Sequence, residues 1–213
     1  ERNLMIFSII VPVFNEEKTI LKILNTLNNL SFLKFKKEII VVDDGSTDST
    51  RNILNQNKSL YSSLYFNEKN MGKGAAVKLG LKNCKGDYVV FQDADLEYDP
   101  NDLIKFEEVF LKFNADGVIG SRFNYDKYTR SHSIMNKIGN YILTLLFNIL
   151  YNTTFTDIYS CYFAFNKKLI NFDNLKVDGF AQHAEILCKV IKSGSRFYEV
   201  PINYNGRNIA EGK

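Results

Sequence analysis

The chain has 213 residues, of which 45% are hydrophobic and 24% charged, and its formal net charge is +3 at pH 7. This length and composition indicate a globular protein with one sizeable α/β domain and exclude a disordered chain. The small net charge gives no reason to expect nucleic acid as a partner, and three cysteines without a CxxC pair indicate neither a disulfide framework nor a zinc site.

The first part of the sequence alternates between apolar strands and amphipathic helices. Residues 7–14 are β-branched and almost wholly apolar, as in a strand that is buried on both faces. We expect Asn15 to cap the helix that follows, in which apolar residues recur at helical spacing. Those residues are Ile20, Ile23, Leu24, Leu27 and Leu30. A second strand over 38–42 leads into a turn and then a helix through about Leu60, with Asp48 as its expected N-cap.

The alternation continues through the middle of the chain. A short third strand over 64–66 precedes a helix that opens at 70–76, where two glycines flank a lysine as in a small anion-binding corner. A strand over 87–92 follows, then a helix over 99–113 that opens on Asp-Pro, and then a strand over 116–121. This β-α order predicts a largely parallel sheet with right-handed crossovers.

Beyond this point the pattern is less regular. Residues 124–133 are polar and basic without a period, which predicts a loop. Residues 134–151 carry an apolar helical stripe, for which we expect core packing, with contact to lipid as the alternative; the run is too interrupted for a membrane span. A short strand over 159–165 and a helix over 179–193 follow. The last strand, over 196–204, contains a proline and is therefore expected at a sheet edge.

Carboxylates follow several of these strands. Asp93, Asp95 and Glu97 end the strand over 87–92, and Glu16 and Asp44 follow the first and second strands. Ligands of open α/β sheets bind at the carboxyl ends of the strands, so these side chains should share one rim. Carboxylates suit Mg²⁺ or Mn²⁺ that holds a diphosphate, which a bare acidic crevice would repel. We therefore expect a divalent metal at this rim.

Four motifs occur in a fixed order and cover much of the chain. They are Val-Pro-Val-Phe-Asn-Glu-Glu at 11–17, Val-Asp-Asp-Gly-Ser-Thr-Asp at 42–48, Gly-Lys-Gly at 72–74 and Asp-Ala-Asp-Leu at 93–96. Together they resemble the family 2 glycosyltransferases of the GT-A fold. The resemblance implies one domain over 1–213 with a Rossmann-like, mostly parallel central sheet flanked by helices. Within it, 1–122 would bind the nucleotide sugar and 123–213 the acceptor.

Later motifs resemble the dolichyl-phosphate mannose synthase group and its bacterial polyprenyl-phosphate relatives. They lie at 120–123, 156–162, 199–202 and 204–207. This resemblance implies metal-dependent, inverting transfer of a hexose from a nucleotide-diphosphate sugar, of the GDP-mannose or UDP-glucose type, to a polyprenyl or dolichyl phosphate. It also implies a cytoplasmic protein with peripheral contact at the inner face of the membrane.

The resemblance assigns roles to individual residues. The nucleotide sugar would be bound by Pro12, Phe14, Glu16, Val42, Asp44, Asp93, Ala94, Asp95, Arg207 and Lys213. Mg²⁺ or Mn²⁺ would be held by Asp93, Asp95 and Glu97. The acceptor phosphate would be bound by Arg122 and Lys137, and catalysis would involve Asp95, Asp157 and Arg122.

Three positions depart from the pattern of these relatives. Phe163 stands where a basic residue is common, His183 where an acid is common, and Lys137 where arginine is common. Two alternatives therefore stay open. In the first alternative, the acceptor is a saccharide hydroxyl, and Asp157 is the first candidate as general base. In the second, the chain is a nucleotide-binding module without catalysis.

Overall fold

A mixed β-sheet is the centre of the computed structural model, which describes residues 4–123, 134–179 and 181–207. Its strands are β1 Met5–Val13, β2 Phe35–Asp43, β3 Ser63–Phe66, β4 Tyr88–Phe91, β5 Gly117–Ser121, β6 Phe163–Asn166 and β7 Phe197–Pro201. The helices are α1 Ile20–Asn29, α2 Thr50–Gln56, α3 Lys73–Asn83, α4 Leu103–Phe113, α5 Ile134–Tyr151 and α6 Gln182–Ser193.

The strand order is β3-β2-β1-β4-β6-β5-β7. Strands β1, β2, β3 and β4 run parallel to one another, and β5 runs parallel to β7, whereas β6 is antiparallel to both β4 and β5. The expected α/β class with a mostly parallel sheet is thus confirmed. The chain moves outward from β1 to β3 and then returns to place β4 on the other side of β1. This reversal is a topological switch point, where open α/β sheets bind ligands.

Hydrophobic layers cover both faces of the sheet. On one face, Phe7, Ile9 and Val11 of β1 pack with residues of α1 and α4. On the other, Ile10 and Val42 pack with residues of α3 and α6. Burial on both faces explains why these strands are continuous apolar runs instead of alternating patterns.

The apolar stripe of α5 faces outward, so the expectation of core packing was wrong. Ile138, Ile142, Leu145 and Ile149 are 45%, 50%, 45% and 70% exposed, whereas the inward positions include Asn140. The buried positions accept polar residues because these find partners: Asn140 Nδ2 donates to the Asp157 carboxylate. None of the described helices is both long and apolar enough to cross a membrane.

Helix caps differ in detail from the sequence prediction. Asn15 does not cap α1, which begins after Thr19; it adopts a left-handed conformation, and its Oδ1 accepts from Thr47 N at 2.8 Å. Asp48 lies one residue before the N-cap of α2, and its Oδ1 accepts from Thr50 N. Two other predictions are confirmed: Asp99 caps the turn that leads into α4, and β7 is an edge strand.

Candidate active site

A cavity of about 390 Å³ opens at the carboxyl ends of β1, β2 and β4; we call it the rim cavity. Seven of the residues predicted to bind a nucleotide sugar line it. They are Pro12, Phe14, Glu16, Asp44, Asp93, Ala94 and Asp95. The rest of the wall comes from the end of β1 and from the region around the start of α3; these residues are Val13, Asn70, Gly72, Lys73 and Ala76. Residues that are distant in sequence are therefore brought together at the switch point of the sheet.

The other three predicted nucleotide-sugar residues are placed differently. Val42 is fully buried in the hydrophobic layer between the sheet and helices α3 and α6, so its side chain packs in the core and does not line the rim cavity. Arg207 reaches the cavity from the end of the described chain, with Nη2 3.3 Å from both Glu16 Oε1 and Asp95 Oδ2. Lys213 lies outside the described residues.

Asp44 organises the loop before α3. Its carboxylate accepts from the backbone amides of Met71, at 3.0 Å, and Gly72, at 2.8 Å, and from Asn67 Nδ2 at 2.7 Å. Gly72 has φ 91°, a conformation that favours glycine. Because Asp44 takes the Gly72 amide, that donor is not free to bind a ligand anion at the expected anion-binding corner.

Lys73 forms an ion pair with Asp93. The distance from Lys73 Nζ to Asp93 Oδ1 is 2.5 Å, and Cys161 Sγ lies 3.5 Å from the same nitrogen. Burial alone would raise the pKa of Asp93, but the neighbouring ammonium lowers it below its usual value. Asp93 is therefore ionised near neutral pH. The sequence indicated an anion-binding corner at this lysine, so its ion pair with Asp93 is a feature that the sequence did not predict.

Asp95 differs from Asp93 in the direction of its pKa shift. Burial and the nearby charge of Asp93 raise the pKa of Asp95 to about 6, although Arg207 opposes this shift. Asp95 Oδ1 accepts from Glu97 N at 3.0 Å, and Oδ2 faces Arg207. Arg207 is shared by Asp95, Glu16 and Glu97, so this partly buried corner holds more carboxylates than cations.

Glu97 fixes the segment that carries Arg207. Its Oε2 accepts from Tyr204 Oη at 2.7 Å, and its Oε1 accepts from Arg207 N at 2.8 Å. The backbone adds a bond from Asn205 N to Glu97 O. The carboxylate is thus used by protein donors, which is a different role from the predicted metal ligand.

These contacts decide which carboxylates could hold a divalent cation. Within 4–123, 134–179 and 181–207, no group of three His, Cys, Asp or Glu side chains is arranged to hold a metal. Mg²⁺ commonly binds through one or two carboxylates together with substrate phosphates, so a complete protein cage is not required. Asp93 and Asp95 fit that arrangement, because a cation beside them would relieve the repulsion that raises the pKa of Asp95.

Arg122 and Asp157 form a buried pair next to this site. Arg122 Nε lies 2.7 Å from Asp157 Oδ2, Nη2 lies 2.8 Å from Oδ1, and the Arg122 amide also donates to Oδ2. Asn140 Nδ2 donates to Oδ1 at 3.2 Å. Asp157 is fully buried, and both of its oxygens are occupied. It is therefore placed to orient Arg122, whereas the predicted role as a base needs an oxygen that can reach the acceptor.

The two predicted acceptor-phosphate residues lie near one aromatic ring. The Arg122 guanidinium carbon and Lys137 Nζ are each 5.9 Å from the centre of the Phe123 ring. The guanidinium also lies 5.1 Å from the centre of the Tyr204 ring, which links this region to Glu97. Arg122, which follows β5, and Lys137, in the first turn of α5, therefore both lie against the ring of Phe123.

A second cavity, of about 180 Å³, adjoins the rim cavity; we call it the inner cavity. Lys73 lines both cavities. The remaining walls of the inner cavity are formed by Val77, Phe91, Tyr159, Cys161, Gly179, Gln182 and His183. Removal from water lowers the pKa of His183 to about 4, so its ring is neutral at physiological pH. Burial raises the pKa of the Cys161 thiol to about 12.

Known proteins have sequences similar to that of this chain. The profile of the family described as Glycosyl transferase family 2 matches residues 8–172. An uncharacterized protein of Methanocaldococcus jannaschii is 32% identical over an alignment that covers 94% of this chain and 90% of that protein. The UDP-N-acetylglucosamine–dolichyl-phosphate N-acetylglucosaminyltransferase of Methanococcus voltae is 29% identical, with 96% of this chain and 88% of that enzyme covered.

A solved structure shows the same arrangement of strands and helices. It is glucosyl-3-phosphoglycerate synthase from Mycobacterium tuberculosis in complex with Mn²⁺, UDP and phosphoglyceric acid. The TM-score is 0.72 at 21% sequence identity, and the match covers 97% of this chain and 73% of that one. The two chains therefore share a fold.

Proposed function

Because the chain belongs to glycosyl transferase family 2 and has the GT-A fold, we propose that it transfers a hexose from a nucleotide-diphosphate sugar to a polyprenyl phosphate. One observation carries this proposal. Seven residues expected to bind the nucleotide sugar line a single cavity at the switch point of the sheet. The named activity of the Methanococcus voltae relative, which transfers N-acetylglucosamine from UDP-N-acetylglucosamine to dolichyl phosphate, supports both kinds of substrate.

In glycosyl transfer a nucleoside diphosphate departs while the sugar gains positive charge, so the leaving group's negative charge must be stabilised. A divalent cation at Asp93 and Asp95 would supply that charge, and the Mn²⁺ in the structural relative supports this cofactor. Arg207 faces the same corner, with its guanidinium 3.3 Å from Asp95. The chain's own contribution is to bind the diphosphate and to balance its charge.

The hydrogen bonds of the Asp157 carboxylate favour a lipid phosphate over a saccharide hydroxyl as acceptor. A hydroxyl must lose its proton to a base, whereas a phosphate monoester has a second pKa of about 6 and is already largely dianionic at neutral pH. Both oxygens of Asp157 are taken by Arg122 and Asn140, so this carboxylate is poorly suited to accept a proton. Arg122 and Lys137 supply two cations for an acceptor phosphate. In-line attack would invert the anomeric configuration.

The exposed face of α5 supports peripheral membrane contact. Ile142, Leu145 and Ile149 present apolar side chains to solvent on the helix that carries Lys137. Such a face can lie in the interface of a bilayer and bring the two cations to a lipid headgroup. We propose that the protein acts at the cytoplasmic face of the membrane.

The test is transfer of labelled sugar from UDP-glucose, UDP-N-acetylglucosamine or GDP-mannose in the presence of Mn²⁺ and polyprenyl phosphate. We expect label from one donor to enter the organic phase and to depend on the lipid. Label that appears instead on an added saccharide would favour the hydroxyl acceptor. Binding of a donor without turnover under any condition would favour a nucleotide-binding module.

A further inference from the structure

The inner cavity and the rim cavity share one wall residue. Lys73 lines both cavities and is held there by Asp93 at 2.5 Å. A nucleotide sugar consists of nucleoside, diphosphate and sugar in that order. If the diphosphate lies at Asp93 and Asp95, the sugar that follows it comes next to Lys73. The inner cavity is therefore within reach of a substituent on that sugar.

Gln182 gives this cavity an unused hydrogen-bond donor. It is the first residue of α6 and is only 3% exposed. Its Nε2 has no hydrogen-bond partner in the part of the chain that the structure describes. Buried polar groups in folded proteins are almost always paired, so an unpaired amide in a cavity wall indicates an acceptor that the protein does not itself provide.

The other walls of the inner cavity indicate which chemical group carries that hydrogen-bond acceptor. Val77 and Phe91 are apolar and buried, and Tyr159 adds an aromatic ring. The volume of about 180 Å³ would hold roughly six water molecules, far more than one sugar hydroxyl needs. An acetamido group suits the walls better, because its carbonyl oxygen can accept from Gln182 Nε2 while its methyl group contacts Val77 and Phe91.

We propose that the inner cavity receives the acetamido group at C2 of the donor sugar, and that the substrate is a nucleotide-linked 2-acetamido-2-deoxyhexose. This inference rests on the proposed function, because it requires a nucleotide sugar in the rim cavity. It makes Gln182 a residue that determines donor specificity. It also makes the sugar distinct from the unsubstituted hexose of the GDP-mannose or UDP-glucose type expected from the sequence.

The experiment compares UDP-N-acetylglucosamine with UDP-glucose as donor to polyprenyl phosphate. For the wild type we expect kcat/KM to be at least about tenfold higher with the acetamido sugar, the difference typical of one buried hydrogen bond plus methyl contact. In Gln182→Leu this preference should shrink by about tenfold. Gln56→Leu, the same exchange at an exposed position of α2, should keep the full preference.

A second variant tests the space itself. Val77→Phe fills the inner cavity, so it should lower turnover of UDP-N-acetylglucosamine more than that of UDP-glucose. Calorimetric binding of UDP alone, which needs only the rim cavity, shows whether either variant is still folded.

Equal use of both sugars by the wild type, use of GDP-mannose alone, or equal losses for both donors in Gln182→Leu would overturn the inference while the proposed function stands. If no nucleotide sugar is bound or turned over, the proposed function fails as well, and the inference fails with it.

Discussion

Arg122 and Asp157 are joined by two parallel hydrogen bonds, of 2.7 and 2.8 Å, and the Asp157 carboxylate is completely shielded from solvent. Such a fork-shaped pair fixes the direction of a guanidinium more firmly than a single contact does. The pair therefore sets where Arg122 can meet an anion. We expect loss of this pair to lower the stability of the fold and to weaken binding of the acceptor.

Replacement of Asp157 by Asn should leave the charge of Arg122 without its buried partner. We expect the free energy of unfolding to fall by about 3 kcal/mol and the KM for polyprenyl phosphate to rise more than the KM for the donor. Urea unfolding and steady-state kinetics measure the two effects. The matched control is Asp178→Asn, which breaks an exposed pair with Lys78 and should cost at most about 1 kcal/mol. An unchanged acceptor KM would speak against this role for Asp157.

Metal dependence should reside in Asp95. Removal of divalent cations by a chelator, or the exchange Asp95→Asn, should weaken donor binding by at least about tenfold, because the diphosphate then lacks its counter-charge. Isothermal titration with and without Mn²⁺ provides the measurement. Asp173→Asn, at an exposed position, serves as the control. Donor affinity that is the same with and without Mn²⁺ in the wild type would refute the metal site.

The same residue predicts a pH dependence of activity. Burial and Asp93 raise the pKa of Asp95 to about 6 in the free protein. Protonation removes the carboxylate, so kcat/KM for the donor should fall as the pH drops below 6 and level off above about 7. Because the acceptor phosphate also titrates near pH 6, the rate profile from pH 5 to 8 is accompanied by calorimetric binding of the donor without acceptor over the same range. A profile that stays flat down to pH 5 would contradict the shift.

His183 predicts a pH dependence of stability. Burial lowers its pKa to about 4, whereas an unfolded histidine titrates near 6.5. The folded protein favours the neutral ring. The free energy of unfolding therefore has its full value above about pH 6.5 and decreases as the pH falls toward 4, because the unfolded state takes up the proton first. We expect His183→Phe to retain about 2 kcal/mol more of its stability than the wild type over that interval. Chemical unfolding at both pH values checks it, and parallel losses in the two proteins would contradict it.

Membrane contact should depend on the outer face of α5. The double exchange Leu145→Glu and Ile149→Glu should reduce co-sedimentation with anionic vesicles severalfold, because it places charge on a surface proposed to enter the interface. Both side chains are exposed, so the melting temperature should change little. Leu33→Glu, which alters an equally apolar residue that is 83% exposed elsewhere, should bind vesicles normally. Equal vesicle binding by all three proteins would exclude α5 as the contact.

Much of this architecture follows from local patterns. The parallel half of the sheet is visible in the sequence because strands buried on both faces appear as apolar runs, and because each run ends at a turn and a helix. Asp93 and Asp95 could be placed at a rim because they directly follow such a run. The direction of β6 could not be foreseen, since a short apolar segment specifies a strand but not the orientation of its neighbours.

Other features depend on contacts that lie far apart in the chain. The period of α5 reveals an apolar stripe but not which face of the helix packs against the protein. Here Asn140 faces inward because its Nδ2 donates to the Asp157 carboxylate. Lys73 resembles any lysine at a helix start until the fold brings Asp93 to it. The family resemblance implies that Glu97 is a third metal ligand, but it could not reveal that Tyr204 and Arg207, more than a hundred residues later, donate to both of its oxygens.

The bonds between Glu97 and the segment at Tyr204 and Arg207 also have a consequence for biosynthesis. A nascent polypeptide that has left the ribosome only as far as β7 would already contain Glu16, Asp95 and Glu97, but not the guanidinium that they share. Translation must therefore proceed through Arg207 before these three carboxylates have the cation that they share.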